Sequence, residues 1–147
     1  MNHHHFRDAL DESALLAALR AAEQKTTGQI RVFVSTHTCP DALAAAKRQF
    51  RRLAMHRTQQ RNAILIFIAP KSRTFALFGD VGIHEQCGEQ FWHTLRDELT
   101  PHFQSSNFTT ALTHAISRTG ELLQTHFPRT TRTTPTPNEL PDSIAHD

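Results

Sequence analysis

The chain has 147 residues, enough for one domain that buries its own hydrophobic core without a metal ion or disulfide bridges. Its composition is that of an ordinary soluble protein, and a formal charge of +2 is too small to predict a polyanionic partner. The two cysteines, Cys39 and Cys87, are too few for a disulfide framework, so we expect reduced thiols. The sequence shows neither a bilayer-spanning apolar run nor the apolar segment of a signal peptide, which predicts a cytoplasmic protein.

The first elements follow from the spacing of apolar residues. Residues 11–25 have apolar side chains at helical spacing and predict a first helix. Residues 29–35 alternate with a period of two and predict a first strand. Pro40 and Asp41 then open a second helix, since both residue types are favoured in the first helical turn.

The central part of the chain predicts a hairpin. Residues 63–69 form a continuous apolar run, which is typical of a strand covered on both faces. Residues 73–79 predict a third strand, antiparallel to the second because the turn between them is so short. The first two strands, joined through a helix, form a right-handed parallel βαβ unit. Two further helices begin at residues 83–84 and at Asn107. The predicted fold class is α/β, a small mixed sheet of a parallel βαβ unit plus an antiparallel hairpin, covered by helices in the order αβαββαα.

The ends of the chain differ from its middle in composition. Residues 1–10 are predicted to be a flexible N-terminus, and residues 11–127 to form the folded domain. From Pro128 onward the sequence is rich in Thr and Pro and has few apolar residues. Such a segment buries too little surface to offset the entropy of ordering it, so residues 128–147 are predicted to be a disordered C-terminal tail.

Four stretches of the sequence carry a family resemblance: TTGQIRVFV (26–34), RNAILIFIA (61–69), SRTFALFGDVGIHEQCGEQFW (72–92) and PHFQSSNFTTALTHAISRTGELL (101–123). Their most specific parts are Arg61-Asn62 before the central strand and Gly79-Asp80-Val81-Gly82 after the hairpin. Together they resemble the TPM domain, a family that includes a thylakoid lumen protein, a photosystem II repair protein and a modulator of acetylcholine receptors. The resemblance implies a compact sheet covered by helices.

The resemblance implies no single reaction. Family members have been associated with acid phosphatase activity, with calcium binding, and with the assembly or repair of membrane complexes, and many are anchored or secreted. This chain departs from that pattern because it shows no signal peptide or membrane helix and lacks the extra segment that usually precedes the first helix. Arg61 also stands where many members have an acidic residue. A cation there repels a divalent metal, so we expect no cofactor, and calcium is the one metal that the resemblance implies.

Polar residues gather where the predicted topology brings the end of the third strand beside the starts of the first two. The candidate ligand rim consists of Arg61, Asn62, Asp80, Gly82, His84 and Glu85. Asp80 is its candidate metal ligand. The alternative is structural: Asp80 caps the following helix and pairs with Arg61, while the glycines supply turn conformations.

A zinc site formed by His37, Cys39, His84 and Cys87 has suitable ligand types. The predicted topology argues against it, because the first two residues follow the C-terminal end of the first strand and the other two lie at the opposite rim. Cys87 also belongs to the apolar stripe of its helix and is expected to pack as a small hydrophobe.

Phosphate ester hydrolysis needs a catalytic set that the sequence does not complete. Neither cysteine is followed six residues later by arginine, no glycine-rich loop opens a helix, and no pair of closely spaced aspartates follows a strand. A phosphatase-like enzyme would therefore be metal-dependent and would use the Asp80 rim.

The second helix carries cations on one face, at positions that stack four residues apart. This basic face consists of Lys47, Arg48, Arg51 and Arg52. Such a face suits nucleic acid or acidic lipid headgroups, but a solvated surface opposite an apolar stripe has the same pattern. No aromatic residues are interleaved with the cations, which argues against binding of single-stranded nucleic acid.

We therefore predict a monomeric, non-enzymatic TPM-like binding or accessory domain that assists assembly or repair of a protein complex through an unknown protein partner. One alternative is a metal-dependent, acid-phosphatase-like enzyme at the rim. The other is a weak binder of nucleic acid or membrane surfaces through the basic face.

Overall fold

The computed structural model describes residues 10–105, 107–129 and 144–147, and these residues include a four-stranded sheet. The strands are β1 (Gln29–Val34), β2 (Ala63–Ala69), β3 (Thr74–Gly79) and β4 (Ile144–His146), in the spatial order β3-β2-β1-β4. β1 pairs in parallel with β2 and with β4, and β2 pairs antiparallel with β3. The predicted mixed sheet, with its parallel βαβ unit and hairpin, is confirmed, and β4 is added to it.

Helices cover both faces of this sheet. They are α1 (Glu12–Glu23), α2 (Ala42–Arg52), α3 (Val81–Gln104) and α4 (Phe108–His126). Asp11 and Asp41 are the N-caps of α1 and α2, and each accepts a hydrogen bond from a backbone N–H three residues later. Asp41 thus lies just outside α2 rather than in its first turn as expected. α3 begins two residues before the predicted start and is interrupted at Gly88, where φ is +68°.

The alternation of side chains along the strands divides the core into two layers. Ile64, Ile66 and Ile68 of β2 lie in the larger cluster, against α1, α3 and α4. Leu65 and Phe67 face the opposite way, into a smaller cluster with α2. Every residue of β2 is buried, as its continuous apolar pattern predicted, because both faces of this central strand are covered.

Both ends of the segment predicted to be a disordered tail, residues 128–147, take part in β pairing. Pro128 forms a β-bridge with Thr26, and β4 adds a strand beside β1. The composition of the whole segment does not reveal a strand of only three residues. The strand forms because the edge of β1 offers unpaired backbone groups. Leu10, assigned to the flexible N-terminus, is also buried in the larger cluster. Residues 1–9 and 130–143 lie outside the described part of the chain.

The hairpin register controls what meets at the end of the sheet. β2 and β3 are joined by a 3-10 turn, Pro70–Ser72, and Ile64 pairs with Gly79. The residue after β3, Asp80, therefore arrives beside the residues that precede β2. Among the described residues, no helix has a run of apolar side chains that would suit passage through a bilayer.

Candidate functional site

The residues of the candidate ligand rim lie where the starts of β1 and β2 meet the end of β3 and the first turns of α3. Gln29 pairs with Ala63, and the N–H of Asp80 donates to the Ala63 carbonyl at 3.0 Å. These bonds extend the sheet by one residue beyond β3. They confirm the topological argument that brings Asp80 next to the residues that precede β2.

The centre of the rim is a two-point ion pair. The Nε atom of Arg61 donates to Oδ2 of Asp80 at 2.6 Å, and its Nη2 atom donates to Oδ1 at 2.8 Å. Oδ1 also accepts the N–H of Val81 at 2.8 Å, which makes Asp80 the N-cap of α3. The Asp80 side chain is 4% exposed, against 45% for Arg61. The hydrogen bond to Asp80 raises the pKa of the Arg61 guanidinium, whereas desolvation acts to lower this pKa and is outweighed. The Asp80 carboxylate thus accepts three hydrogen bonds, two from Arg61 and one from Val81.

The backbone at the rim leaves no room for a side chain at position 82. Arg61 adopts a left-handed conformation, with φ of +52°. The N–H of Gly82 donates to the Arg61 carbonyl at 3.0 Å. A Cβ atom on Gly82 would lie 2.7 Å from that carbonyl oxygen and closer still to the carbonyl oxygen of Gln60. Gly82 is therefore required by close backbone packing, independently of any ligand.

Asn62 belongs to a separate, internally satisfied network. Its Nδ2 atom donates to Oε1 of Gln60 at 3.0 Å and to Oγ1 of Thr27 at 3.3 Å. The Thr27 hydroxyl donates to the same Gln60 oxygen at 2.6 Å. Asn62 is buried, so this network ties the start of β1 to the start of β2.

The remaining rim residues lie on the exposed side of α3. His84 contacts the rings of Phe78 and Trp92, with centroids 6.3 and 6.1 Å away, and its Nδ1 atom is 4.0 Å from Oε1 of Glu89. Glu85 is exposed. The rim therefore contains one closed ion pair, one amide network and two solvent-facing side chains.

The donor set at the rim does not fit a calcium ion. Calcium takes about six to eight oxygen ligands. Here Asp80 already has a guanidinium at hydrogen-bond distance, so a cation of the protein stands where a bound metal would need the carboxylate. In the part of the chain that the structure describes, no three His, Cys, Asp or Glu side chains are grouped closely enough to hold a metal ion.

The four residues weighed for zinc lie at two separate places. His37 and Cys39 follow β1 at its C-terminal end, where the Cys39 thiol lies 3.7 Å from the His37 carbonyl oxygen. His84 and Cys87 lie in the first two turns of α3, which begins at the rim. Cys87 packs against the larger core cluster, and burial raises the pKa of its thiol.

The basic face of α2 is exposed along its length. The exposed residues are Lys47, Arg48, Arg51 and Arg52. The Nζ atom of Lys47 lies 5.9 Å from the ring centroid of Phe78, a cation–π contact that uses this lysine within the fold.

A cleft of mixed polar and apolar lining beside the hairpin turn is a feature that the sequence did not predict. It has a volume of about 480 Å³ and lies between Arg73 and three phenylalanines, Phe75, Phe103 and Phe108. Phe75 and Phe103 stack with ring centroids 4.5 Å apart. Phe103 and Phe108 lie in one of the four stretches that carry the family resemblance, and nothing in the sequence indicated that they line a cleft.

The C-terminal end of β1 carries a second unpredicted feature. The Ser35 hydroxyl donates to Oδ2 of Asp147 at 2.6 Å, while the N–H and hydroxyl of Thr36 donate to Oδ1 at 2.6 and 2.8 Å. Burial, the largest influence on the Asp147 carboxyl, acts to raise its pKa. The hydrogen bonds from Ser35 and Thr36, helped by nearby His37, outweigh burial and hold the pKa of Asp147 below its ordinary value.

These features define a class: a three-layer α/β/α domain whose mixed sheet starts at a closed Arg–Asp ion pair and a buried amide network. The family model of the TPM domain matches residues 4–122. The chain belongs to the TPM domain family, as its resemblance implied.

Solved structures give the same fold. The chain is similar to BA42 from the psychrophilic bacterium Bizionia argentinensis, solved by NMR, with a TM-score of 0.82, 32% identity, and 92% of each chain covered. It also shares its fold with the N-terminal domain of cg2496 from Corynebacterium glutamicum, with a TM-score of 0.51 and 13% identity, over 90% of this chain and 74% of that one. No curated protein matches the chain.

Proposed function

We propose that this TPM domain is a non-enzymatic binding or accessory module that assists the assembly or repair of a protein complex. The observation that carries the proposal is the engagement of Asp80. Its carboxylate is buried, capped by the N–H of Val81 and held at two points by Arg61. A metal-dependent hydrolase would need that carboxylate to hold a cation and polarise a water.

A metal ion at the rim would compete with Arg61 for the Asp80 carboxylate. A cation that took Asp80 as a ligand would have to displace Arg61 and meet the positive charge of the displaced side chain nearby. The amide nitrogen of the neighbouring Asn62 donates to Gln60 and Thr27, so this side chain is already part of the network that joins the starts of β1 and β2. These contacts favour a structural role for the rim and a function carried by surfaces elsewhere on the domain.

The module is proposed to work as a monomer in the cytoplasm. Cys39 lies beyond the C-terminal end of β1, whereas Cys87 lies on α3 near the opposite end, and both are free thiols. A reducing compartment keeps thiols in this form. Light scattering coupled to size-exclusion chromatography tests the monomer, and elution at twice the chain mass would contradict it.

Calcium titration and a phosphatase assay test the proposal. With untagged protein, we expect no binding heat from calcium at millimolar concentration, and no hydrolysis of p-nitrophenyl phosphate with calcium, magnesium, manganese or zinc present. The Asp80→Asn variant serves as the test and Asp97→Asn, an exposed aspartate on α3, as the matched control. Metal-dependent hydrolysis that Asp80→Asn abolishes and Asp97→Asn retains would overturn the proposal.

A further inference from the structure

The outer edge of β1 already receives an extended peptide. β4 runs parallel to β1, with Ile144 opposite Val32 and His146 opposite Val34. Successive side chains of a strand point to opposite faces of a sheet. Accordingly, Ile144 packs against the larger core cluster and Ala145 against the smaller one. The edge therefore accepts a branched apolar residue followed by a small one.

At the end of the same edge, Ser35 and Thr36 form a binding site for a carboxylate. Asp147 lies three residues after Ile144 and is held by Ser35 and Thr36 through three hydrogen bonds. The Ser35 residue is only 2% exposed, so its hydroxyl is fixed by the fold rather than by solvent. Nε2 of His37 lies 3.8 Å from Oδ2 of Asp147 and adds positive charge whenever it is protonated. These groups would recognise the carboxylate of another chain equally well.

The occupant of this edge is attached more weakly than the rest of the sheet. β4 has three residues and pairs with β1 on one side. Arg129, the last described residue before residues 130–143, hydrogen-bonds to Lys25 near the start of β1. Three paired residues contribute few main-chain hydrogen bonds, so a peptide of the same sequence in solution can compete for this edge.

We propose that the edge of β1, together with Ser35 and Thr36, is a docking groove for an extended acidic segment of a partner protein. The segment runs parallel to β1 and carries a branched apolar residue, then a small residue, and has Asp or Glu three positions after the first. Ile144–Asp147 of the chain itself fills the groove until a partner segment displaces it. Main-chain pairing at a sheet edge supplies affinity, and the side-chain positions supply specificity. This inference rests on the proposed binding function and names its surface.

A labelled peptide with the sequence of residues 138–147, NELPDSIAHD, tests the groove by fluorescence anisotropy on full-length protein. The Ile144→Asp variant weakens the resident strand, so we expect it to bind the peptide at least about fivefold more tightly than the wild type. A peptide with Asn in place of its last Asp should bind that variant about tenfold more weakly. Adding Ser35→Ala to the variant should weaken the unaltered peptide by a similar factor.

The matched control is Ile144→Val, which keeps a branched apolar residue and should bind like the wild type. Circular dichroism checks that each variant is folded. If Ile144→Asp is folded and binds no peptide at 1 mM, or binds the Asp and Asn peptides equally, the groove is disproved. Failure of the proposed function would appear separately, as metal-dependent phosphatase activity that Asp80→Asn abolishes.

Discussion

Arg61 and Asp80, separated by 19 positions in the chain, form a two-point ion pair at the start of the central strands. The pair joins the residue before Asn62 and β2 to the first residue after β3, and it also begins α3. One contact thus links the hairpin to the helix that follows it.

Loss of the Asp80 side chain should destabilise the domain. We expect Asp80→Ala to lower the free energy of unfolding by about 2 kcal/mol, because it removes a helix cap and a charged hydrogen-bond acceptor. Asp80→Asn should cost about 1 kcal/mol, since its side-chain oxygen still accepts the N–H of Val81. Urea unfolding measures both. The control Asp97→Ala, at an exposed position, should stay within about 0.5 kcal/mol of the wild type. Equal effects of Asp80→Ala and Asp97→Ala would contradict the role of the cap.

Position 61 should prefer glycine over alanine once the ion pair is lost. Arg61→Gly and Arg61→Ala remove the same contacts with Asp80, but the backbone at this position has φ of +52°. Glycine adopts this conformation without a steric penalty and alanine does not. We therefore expect the glycine variant to unfold at the higher urea concentration. The reverse order would show that the backbone relaxes when the pair is broken.

Gly82 should be the least replaceable residue of the rim. A Cβ there would lie 2.7 Å from the carbonyl oxygen of Arg61, so Gly82→Ala forces the start of α3 away from the preceding loop. We expect a loss of about 3 kcal/mol, typical of severe overpacking. Val81→Ala is the neighbouring control, since Val81 is 50% exposed and should change stability by less than about 0.5 kcal/mol. Thermal unfolding compares the two, and similar melting temperatures would refute this account of Gly82.

Docking of β4 should weaken in acid. The pKa of Asp147 is lower in the folded protein than in an unfolded chain, so its contribution is complete above the unfolded pKa of about 3.9. The contribution is lost as the pH falls through the lowered folded pKa. Hydrogen exchange of β1 and β4 amides, relative to Asp147→Asn at each pH, should show protection at pH 6 that disappears near pH 2. Amides of β2 are the internal control, and a constant difference at all pH values would contradict the prediction.

Glu98 should couple α3 to α4 in a pH-dependent way. Its Oε1 atom lies 2.7 Å from Nε2 of His114 and 3.1 Å from Nε of Arg118. The hydrogen bond with His114, opposed by desolvation and aided by Arg118, lowers the pKa of Glu98. This contribution is present above the unfolded pKa of about 4.3 and is lost as the pH falls through the folded value.

Because Glu98 is one-third exposed, solvent screening keeps the effect small. We expect Glu98→Gln to cost about 0.5 kcal/mol at pH 7 and nothing measurable near pH 2.5. Glu121→Gln, a more exposed partner of Arg118, is the control and should be near neutral at both pH values. Urea unfolding at the two pH values measures the difference. A cost for Glu98→Gln that persists in acid would point to packing instead of charge.

The sequence predicted the parts of the fold that have a local signal. The bounds of β2 agree with the predicted residues 63–69, because a strand buried on both faces leaves an unbroken apolar run. The meeting of Arg61 and Asp80 followed from hairpin topology, since a short turn forces an antiparallel register. The sequence also offered the structural role of Asp80 as one of two readings. The geometry of the pair then favoured that reading.

β4 and the carboxylate-binding site had no such signal. Three paired residues carry too little periodicity to predict a strand, and the segment before them is rich in Thr and Pro. The bond between Ser35 and Asp147 joins positions 112 apart, so no window along the chain contains both partners. The cleft beside the hairpin turn was not predicted for the same reason, because Phe75 and Phe103 come from different elements.

The sequence by itself determined the order of elements from α1 to α4, the central strand and the family, because apolar periodicity and short motifs are properties of neighbouring residues. Only the tertiary structure shows that Arg61 and Asp80 form an ion pair and that β4 pairs with the edge of β1. Ion pairs and strand pairing depend on distances and angles between residues far apart in the chain. Those distances are fixed by the packing of the whole domain, which no local pattern encodes.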